Sequence, residues 1–418
     1  MSIKCEYETR KKAIELYQDG MGFVEIIRTV HRSGFWMAKW LRRYRKYGLD
    51  GLQDQSRTPK RVPHQTPVPL VRKILTLRDE LAAHKTRRAA FLGLSAETIH
   101  FELQRRGFRR LPAISTIEKI LARSGRTKKI RAKRSSNGPP YPYIAAHQMG
   151  DLQQTDLVGP RHLRGPKGVT RFYSIHTIDV AGQTAAASQF RDKRTISLGR
   201  HLVDSWRVMG LPRVSQMDNE MAATGGGRYR YSISQLIRLH LLLGIHLLFI
   251  PQGEPGRNAA IESFNGLWQK RVLIHTCPDL RALRRTSERF LRYYHLQKPS
   301  RSLTLADHGT RFPGVLRDRL WTTLHHLPDG FSLDHYIDAR GHLAFPIAKG
   351  CVSFVRKLDA HGCIEFNGAE YFIRRKLERQ YVVATLSTYH RRVFIKYDGK
   401  VIKTFPFPFV GKVVDRIA

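Results

Sequence analysis

Three carboxylates carry the chemistry open to this chain. Asp156 stands in Gln153-Gln-Thr-Asp156-Leu-Val and Asp218 in Val214-Ser-Gln-Met-Asp218-Asn-Glu, both in strand-like surroundings. Glu262 stands between two amides in Asn258-Ala-Ala-Ile-Glu262-Ser-Phe-Asn265-Gly266, a segment that opens with Pro255-Gly256 and then reads as helix. Hard oxygen ligands of this kind suit Mg²⁺, which is held by one or two carboxylates and completes its shell with water and substrate phosphate. Two such ions about 4 Å apart stabilise both the attacking and the leaving oxygen of an in-line displacement. On a chain of net charge +39, the set points to metal-dependent chemistry on nucleic acid phosphates.

Each carboxylate has rivals. Asp151 and Asp179 compete with Asp156. The run after Asp179, Val180-Ala-Gly182, reads as a hairpin turn, where an Asp is ordinary. Glu220 competes with Asp218, which has the advantage of following a β-branched strand as an Asp-Asn pair.

The Asp156 segment, the Asp218-Asn219 pair and the run Pro255-Gly-Arg-Asn-Ala-Ala-Ile-Glu-Ser-Phe-Asn-Gly266 together resemble the DDE integrase core of bacterial insertion-sequence transposases, relatives of the retroviral integrases. In outline the resemblance covers the whole chain, and residues 255–266 are its most specific part. It implies N-terminal all-α helix-turn-helix units, a central α/β RNase H-like core with the two aspartates on neighbouring strands, and a small C-terminal β-barrel. It also implies two Mg²⁺ ions (replaceable by Mn²⁺) held by Asp156, Asp218 and Glu262. The implied reaction is hydrolytic nicking at transposon ends, followed by attack of the freed 3′-hydroxyl on target DNA. The partners would be double-stranded terminal inverted repeats, target DNA and further copies of the chain, at least a dimer. The implied setting is the bacterial cytoplasm, at the nucleoid. A domesticated regulator that binds DNA without cutting is the competing expectation, and a complete triad argues against it.

The chain departs from the family at one point. Forty-three residues separate Asp218 from Glu262, more than is usual, and Glu254 sits nearer the family's spacing. Local chemistry favours Glu262. Glu254 lies in Pro251-Gln-Gly-Glu-Pro-Gly, a loop unsuited to holding a ligand rigidly, whereas a helical Glu262 has a fixed direction. The extra length falls in the glycine-rich run 221–231, where Arg228 and Arg230 are candidate DNA contacts.

Composition agrees. Lys and Arg number 73 against 34 Asp and Glu, and the isoelectric point is near 10.7. Duplex DNA carries about one negative charge per 1.7 Å of axis, so the excess is a footprint for it. A membrane partner is disfavoured: the longest apolar run, 241–251, is broken by Gly244 and His246 and is far short of the roughly 20 residues a span needs. Four cysteines at 5, 277, 351 and 363 show no C-x-x-C spacing, which argues against a structural zinc site or a disulfide framework.

The elements that must position these residues follow from periodicity. Residues 1–50 read as three short helices with Ser33 as N-cap of the third, whose outer face carries Lys39, Arg42, Arg43, Arg45 and Lys46. A basic helix after a tight turn fits major-groove recognition. Residues 49–66 read as a linker. Residues 66–126 read as a second helical DNA-binding unit, winged or simple, with Ser95 capping its second helix and a Ser115-Thr-Ile-Glu118 capping box opening its third. Residues 105–134 hold twelve Lys or Arg and one acid, with Lys128, Lys129 and Arg131 expected to track the DNA backbone. The core, 145–310, reads as strands at 150–158, 171–180 and 183–191, a Gly-Pro-rich turn at 159–168, a helix at 195–209 ending at Gly210, a strand at 213–217, a helix near 232–243, a strand at 244–250 and a long helix from about 257. This is an α/β order. Gln269 and Lys270, beyond Glu262, lie where the resembled family places DNA-contacting residues. His176 and His246 read as core histidines. Residues 330–415 read as short strands with turns at 359–362, Asn367-Gly368 and Asp398-Gly399, expected to close into the small barrel.

Overall fold

The computed structural model describes residues 3–55, 65–84, 88–127, 138–166, 168–219, 231–251, 253–305, 310–366 and 369–418. The chain forms two compact units, Met1–Pro67 and Val68–Ala418.

The first unit contains α1 (Ile3–Gln18), α2 (Phe23–Val30) and α3 (Gly34–Tyr47). Ile14, Ile26, Met37 and Trp40 meet in its core at helical spacing. The Ser33 hydroxyl accepts the Trp36 N–H at 3.2 Å, as the sequence leads one to expect of an N-cap. The expected linker starts later than 49. Residues Gly48–Leu52 form a 3₁₀ turn, and Leu52 is fully buried under the helices. Arg10 holds that turn: its guanidinium lies 3.9 Å from the Trp40 ring centre, donates to the Leu52 carbonyl at 2.9 Å and pairs with Asp54 at 3.0 Å.

The second unit begins with α4 (Val68–Ala82), α5 (Ala96–Arg105) and α6 (Ile114–Arg123). Ser95 caps α5 through the Thr98 N–H at 3.2 Å. The expected capping box at Ser115 and Glu118 does not form. α6 starts two residues earlier, with Ala113 as its N-cap, and the Ala113 carbonyl accepts the N–H groups of Thr116 and Ile117 at 2.9 and 3.1 Å, which leaves Ser115 inside the first turn. These helices pack directly on the elements C-terminal to them. Tyr293 completes their core, the Phe91 ring lies 5.1 Å from His275, and Phe101 meets Phe312 edge-on at 5.1 Å. Residues 68–126 and the α/β core are therefore packed as one body.

The centre of that body is a mixed sheet. β1 (Leu152–Gly165), β2 (Gly168–Asp179) and β3 (Ala185–Phe190) run antiparallel. α7 (Thr195–Met209) ends at Gly210, whose φ of 80° suits glycine. β4 (Val214–Met217) then pairs in parallel with β1. α8 (Gln235–Leu242) returns the chain to β5 (His246–Phe249), parallel to β4. Next come α9 (Ala259–Val272) and α10 (Leu280–Leu296). The turn expected at 159–168 is mostly strand. β1 and β2 stay paired through Gly165↔Gly168, with a register shift between Val158 and Arg161 that absorbs Gly159-Pro160. Alternation along β2 serves both faces: Ile175 packs with Leu198, Leu202 and Trp206, whereas Phe172 and Ile178 pack with Phe264, Trp268 and Phe290. Each such large side chain contributes about 1.5–3 kcal/mol by leaving water. Trp268, fully buried, anchors α9.

The C-terminal strands extend this sheet rather than standing apart as a barrel. After β6 (Ile347–Ala348), β7 (Cys351–Lys357) runs parallel to β5, with Leu247↔Val352 and Phe249↔Phe354. β8 (Cys363–Phe366) and β9 (Ala369–Phe372) form a separate hairpin. β10 (Tyr381–Ser387), β11 (Arg392–Tyr397) and β12 (Lys400–Pro406) continue outward from β7. The complete order is β12-β11-β10-β7-β5-β4-β1-β2-β3. The physical reason lies in β7, which is buried on both faces. Val352 and Phe354 enter the core of α7 and α8, while Val355 packs with Leu152, Val214 and Leu248. Such a strand belongs in a sheet interior, and its pairing covers the edge that β5 would otherwise expose. Asp398 and Gly399, at φ of 48° and 73°, make the expected tight turn between β11 and β12.

Candidate active site

The parallel β1–β4 register aligns Gln154 with Gln216 and Thr155 with Met217. The next residues are Asp156, inside β1 just beyond its last pairing with β4, and Asp218, directly after the end of β4, so the two stand on neighbouring strands. In open α/β sheets ligands bind at the carboxyl ends of strands, as at the end of β4.

Two glutamines bring α9 to the same place. Gln154 and Gln216 precede the aspartates by two residues, so their side chains leave the same face of each strand. The Gln154 Oε1 accepts the Ile261 N–H at 3.2 Å. The Gln216 Nε2 donates to the Asn258 Oδ1 at 2.7 Å and to the Arg257 carbonyl at 3.0 Å. The first turn of α9 is thereby tied to both strands. One turn further on, the Asn265 Nδ2 donates to the Asp156 Oδ2 at 2.7 Å. Glu262 lies between these tethers on the helix, half-buried.

The electrostatics are those of crowded like charges. Burial raises the Asp156 carboxyl above its ordinary range, and the negative charges of Asp218 and Glu262 push it the same way, against hydrogen bonds from the Leu157 and Asn265 N–H groups. Among the described residues no ion pair joins Asp156, Asp218 or Glu262 to a cation. Their oxygens do not fall within 4.8 Å of one another as a set of three; Asp359, after β7, with Cys363 of β8 and Glu370 of β9, is the described group that does. An all-oxygen, uncompensated and spread-out donor set fits divalent ions shared between pairs of carboxylates better than one ion in a closed cage.

The rival carboxylates have other partners. Asp179 is fully buried, is raised by burial to about 6, and accepts the backbone N–H groups of Gly150 and Gly182 at 2.8 and 2.6 Å. Asp151 accepts the His147 and Gln148 N–H groups at 2.9 and 3.1 Å. Glu254 accepts from the Arg257 Nε at 2.9 Å and the Tyr381 hydroxyl at 2.7 Å. Arg257 also donates to the Tyr143 hydroxyl at 2.9 Å and stacks 4.0 Å from the Tyr141 ring centre. Glu254 thus fastens the loop before α9 to the C-terminal sheet. Glu220 lies outside the described residues.

The residues expected to contact DNA are divided. On α3, Lys39, Arg42, Arg45 and Lys46 are exposed, while Arg43 is half-buried, 4.6 Å from the Trp40 ring centre, and donates to the Gln53 carbonyl at 2.8 Å. Arg45 donates to the Tyr17 hydroxyl at 2.6 Å. On α9, Gln269 accepts from Arg161 at 2.6 Å and Lys270 is exposed. Lys128, Lys129, Arg131, Arg228 and Arg230 lie outside the described residues.

Sequence reasoning missed Gln154, Gln216 and Arg356, and it named Asn219 only as part of the Asp-Asn pair. Asn219 bonds to the Ile250 carbonyl at 2.6 Å, and Arg356 of β7 donates to Asn219 at 3.1 Å, reaching the Asp218 strand end from the C-terminal region. Buried amides at alternate positions before each aspartate are a readable signal for the glutamines. Nothing in the sequence pairs Arg356 with Asn219.

No protein-family profile matches the chain. Among solved structures it is similar to a simian T-cell lymphotropic virus intasome in complex with PP2A regulatory subunit B56 gamma, at 14% identity and a TM-score of 0.33, over 72% of this chain and 92% of that one. It is also similar to the HTLV-2 integrase catalytic core domain in complex with magnesium. The trimeric form matches at 14% identity and a TM-score of 0.29, over 40% of this chain and 96% of that one. The dimeric form matches at 16% and 0.27, over 37% and 91%. At this overlap the similarities add no weight to the geometry above.

Proposed function

We propose that this protein is a metal-dependent DNA transposase with an RNase H-like core, in which Asp156, Asp218 and Glu262 hold two Mg²⁺ ions. The observation that carries this reading is the cluster itself: on a chain with 73 Lys and Arg against 34 acids, three adjacent carboxylates have no cationic partner among the described residues. Carboxylates left crowded in this way are costly, and divalent ions remove the cost. When bound, the ions supply Lewis-acid stabilisation of the attacking and leaving oxygens of a phosphodiester.

The chain's own residues do the rest. Gln154 and Gln216 fix α9 against the strands, Asn265 orients Asp156, and Asn219 holds the end of β4. The exposed Lys39, Arg42, Arg45 and Lys46 on α3 supply DNA contacts. Two transposon ends cut and joined in concert need at least two copies of the chain. Among the described residues no helix is long and apolar enough to cross a membrane.

The test uses full-length protein and duplexes carrying its element's terminal repeats, with Mg²⁺ or Mn²⁺. Asp156→Asn, Asp218→Asn and Glu262→Gln should each abolish nicking and strand joining, a loss of at least a thousandfold, while end binding stays within threefold of wild type. A wild-type protein that binds its ends but never nicks them with either metal would replace this reading with that of a non-cutting regulator.

A further inference from the structure

His176 sits directly across the β1–β2 ladder from Asp156 and is fully buried. Its ring packs against Trp268 at 4.7 Å and Phe264 at 5.4 Å between centres. A buried histidine in an apolar strand needs both ring nitrogens satisfied, and here both are. The Nδ1 lies 2.6 Å from the Asn265 Oδ1, and the Nε2 lies 2.6 Å from the Ser174 Oγ.

The proton positions follow from what each atom can do. The Asp156 carboxylate, when ionised, only accepts, so the Asn265 group facing it is the NH₂ and the group facing His176 is the carbonyl oxygen. That oxygen also only accepts, so the His176 Nδ1 carries the proton. The Ser174 hydroxyl accepts from the Gln189 Nε2 at 3.0 Å, leaving its own hydrogen for the His176 Nε2. One arrangement therefore satisfies the chain Gln189, Ser174, His176, Asn265, Asp156 with a neutral imidazole. Gln189 is in turn fixed: its Nε2 also reaches the Ser287 Oγ at 3.2 Å, and that oxygen accepts from the Trp268 Nε1 at 2.8 Å. The line of bonds runs from α10 through β3 and β2 to the first aspartate.

We propose that His176 is a positioning residue for the metal site: its Nδ1–H holds the Asn265 amide in the orientation that donates to the Asp156 Oδ2, and so fixes the direction of that carboxylate, whose Oδ1 accepts the Leu157 N–H at 2.8 Å. Without the donor, the Asn265 amide is free to turn, and an inverted amide would aim oxygen at carboxylate. Outer partners of this kind typically change metal affinity by about 10–100-fold when removed.

The inference rests on the metal-site reading and can fail separately from it. Mn²⁺ binding to the full-length, DNA-free protein is measured by electron paramagnetic resonance, counting only the ions lost in Asp218→Asn. His176→Phe keeps a ring against Trp268 and Phe264 but removes the donor. It should weaken Mn²⁺ binding about tenfold, as should Asn265→Ala. The double variant should be no more than twofold weaker than Asn265→Ala, because both changes break one chain. His176→Gln, which retains a donor and an acceptor, should recover binding to within about threefold. Wild-type protein with no Mn²⁺ that Asp218→Asn removes overturns the metal site itself. Normal wild-type binding with undiminished His176→Phe, or additive losses in the double variant, overturns only the role of His176. Should His176→Phe not fold, ¹⁵N-histidine spectra of the wild type decide the matter, with the signal assigned by its loss in His176→Gln: a proton on Nε2 instead of Nδ1 refutes the proposal.

Discussion

Asp156→Asn should stabilise the metal-free protein and remove its response to metal. Neighbouring parallel strands lie about 4.8 Å apart, which puts adjacent carboxylates roughly 6 Å from each other. At an effective dielectric of about 20, a repulsion at ~6 Å is worth about 3 kcal/mol, and partial solvent access reduces each to about 1 kcal/mol. Asp156 feels two, from Asp218 and Glu262. Asparagine removes both but weakens the charge-assisted bonds from the Leu157 and Asn265 N–H groups, at a cost of about 1 kcal/mol. The net gain is about 1 kcal/mol, or roughly 1–2 °C in Tm for a unit of this size.

The pH dependence has a definite sign. Folding raises the Asp156 pKa, so the folded chain holds that proton more tightly than the unfolded one. Stability present at low pH is then lost as pH climbs from the ordinary 3.8 through the folded value. Calorimetry in EDTA from pH 4 to 8 should show the stability of wild type falling relative to that of Asp156→Asn as pH rises. Adding Mg²⁺ to about 100 times its Kd should stabilise wild type by about 2.7 kcal/mol and leave the variant unchanged. A variant that melts below wild type in EDTA, or a wild type indifferent to metal, would refute the account of crowded charges.

Two further outcomes separate residues that look alike in sequence. Arg42→Ala should weaken DNA binding and reduce the slope of log K against log salt by about 0.9 if it meets one phosphate, with Tm unchanged. Arg43→Ala should instead destabilise the first unit by about 1 kcal/mol through its lost contacts to Trp40 and the Gln53 carbonyl; equal melting of the two variants would contradict this. Glu254→Gln should leave metal binding within twofold of wild type, since Glu254 is engaged by Arg257 and Tyr381. A tenfold loss of Mn²⁺ affinity would return Glu254 to the site.

Much of this molecule is legible in its sequence because it rests on local periodicity and local chemistry. The helices at Phe23–Val30, Gly34–Tyr47 and Thr195–Met209, the caps at Ser33 and Ser95, the stop at Gly210 and the turn at Asp398-Gly399 each depend on residues a few positions apart. Glu254 is unsuited to a rigid site because its loop holds two prolines and two glycines, and that too is local. What only the tertiary structure decides is pairing between distant segments. The hydrophobic pattern of residues 351–406 specifies strands but not their neighbour, and burial of β7 on both faces is what places it against β5. Asp156 and Asp218 sit side by side through the β1–β4 register, which no spacing in the chain encodes. The chain of bonds from Gln189 to Asp156 joins residues up to 109 positions apart. A buried polar group must find its partner in space, so His176 reads in sequence as one more core histidine and in the fold as a neighbour of the clustered carboxylates.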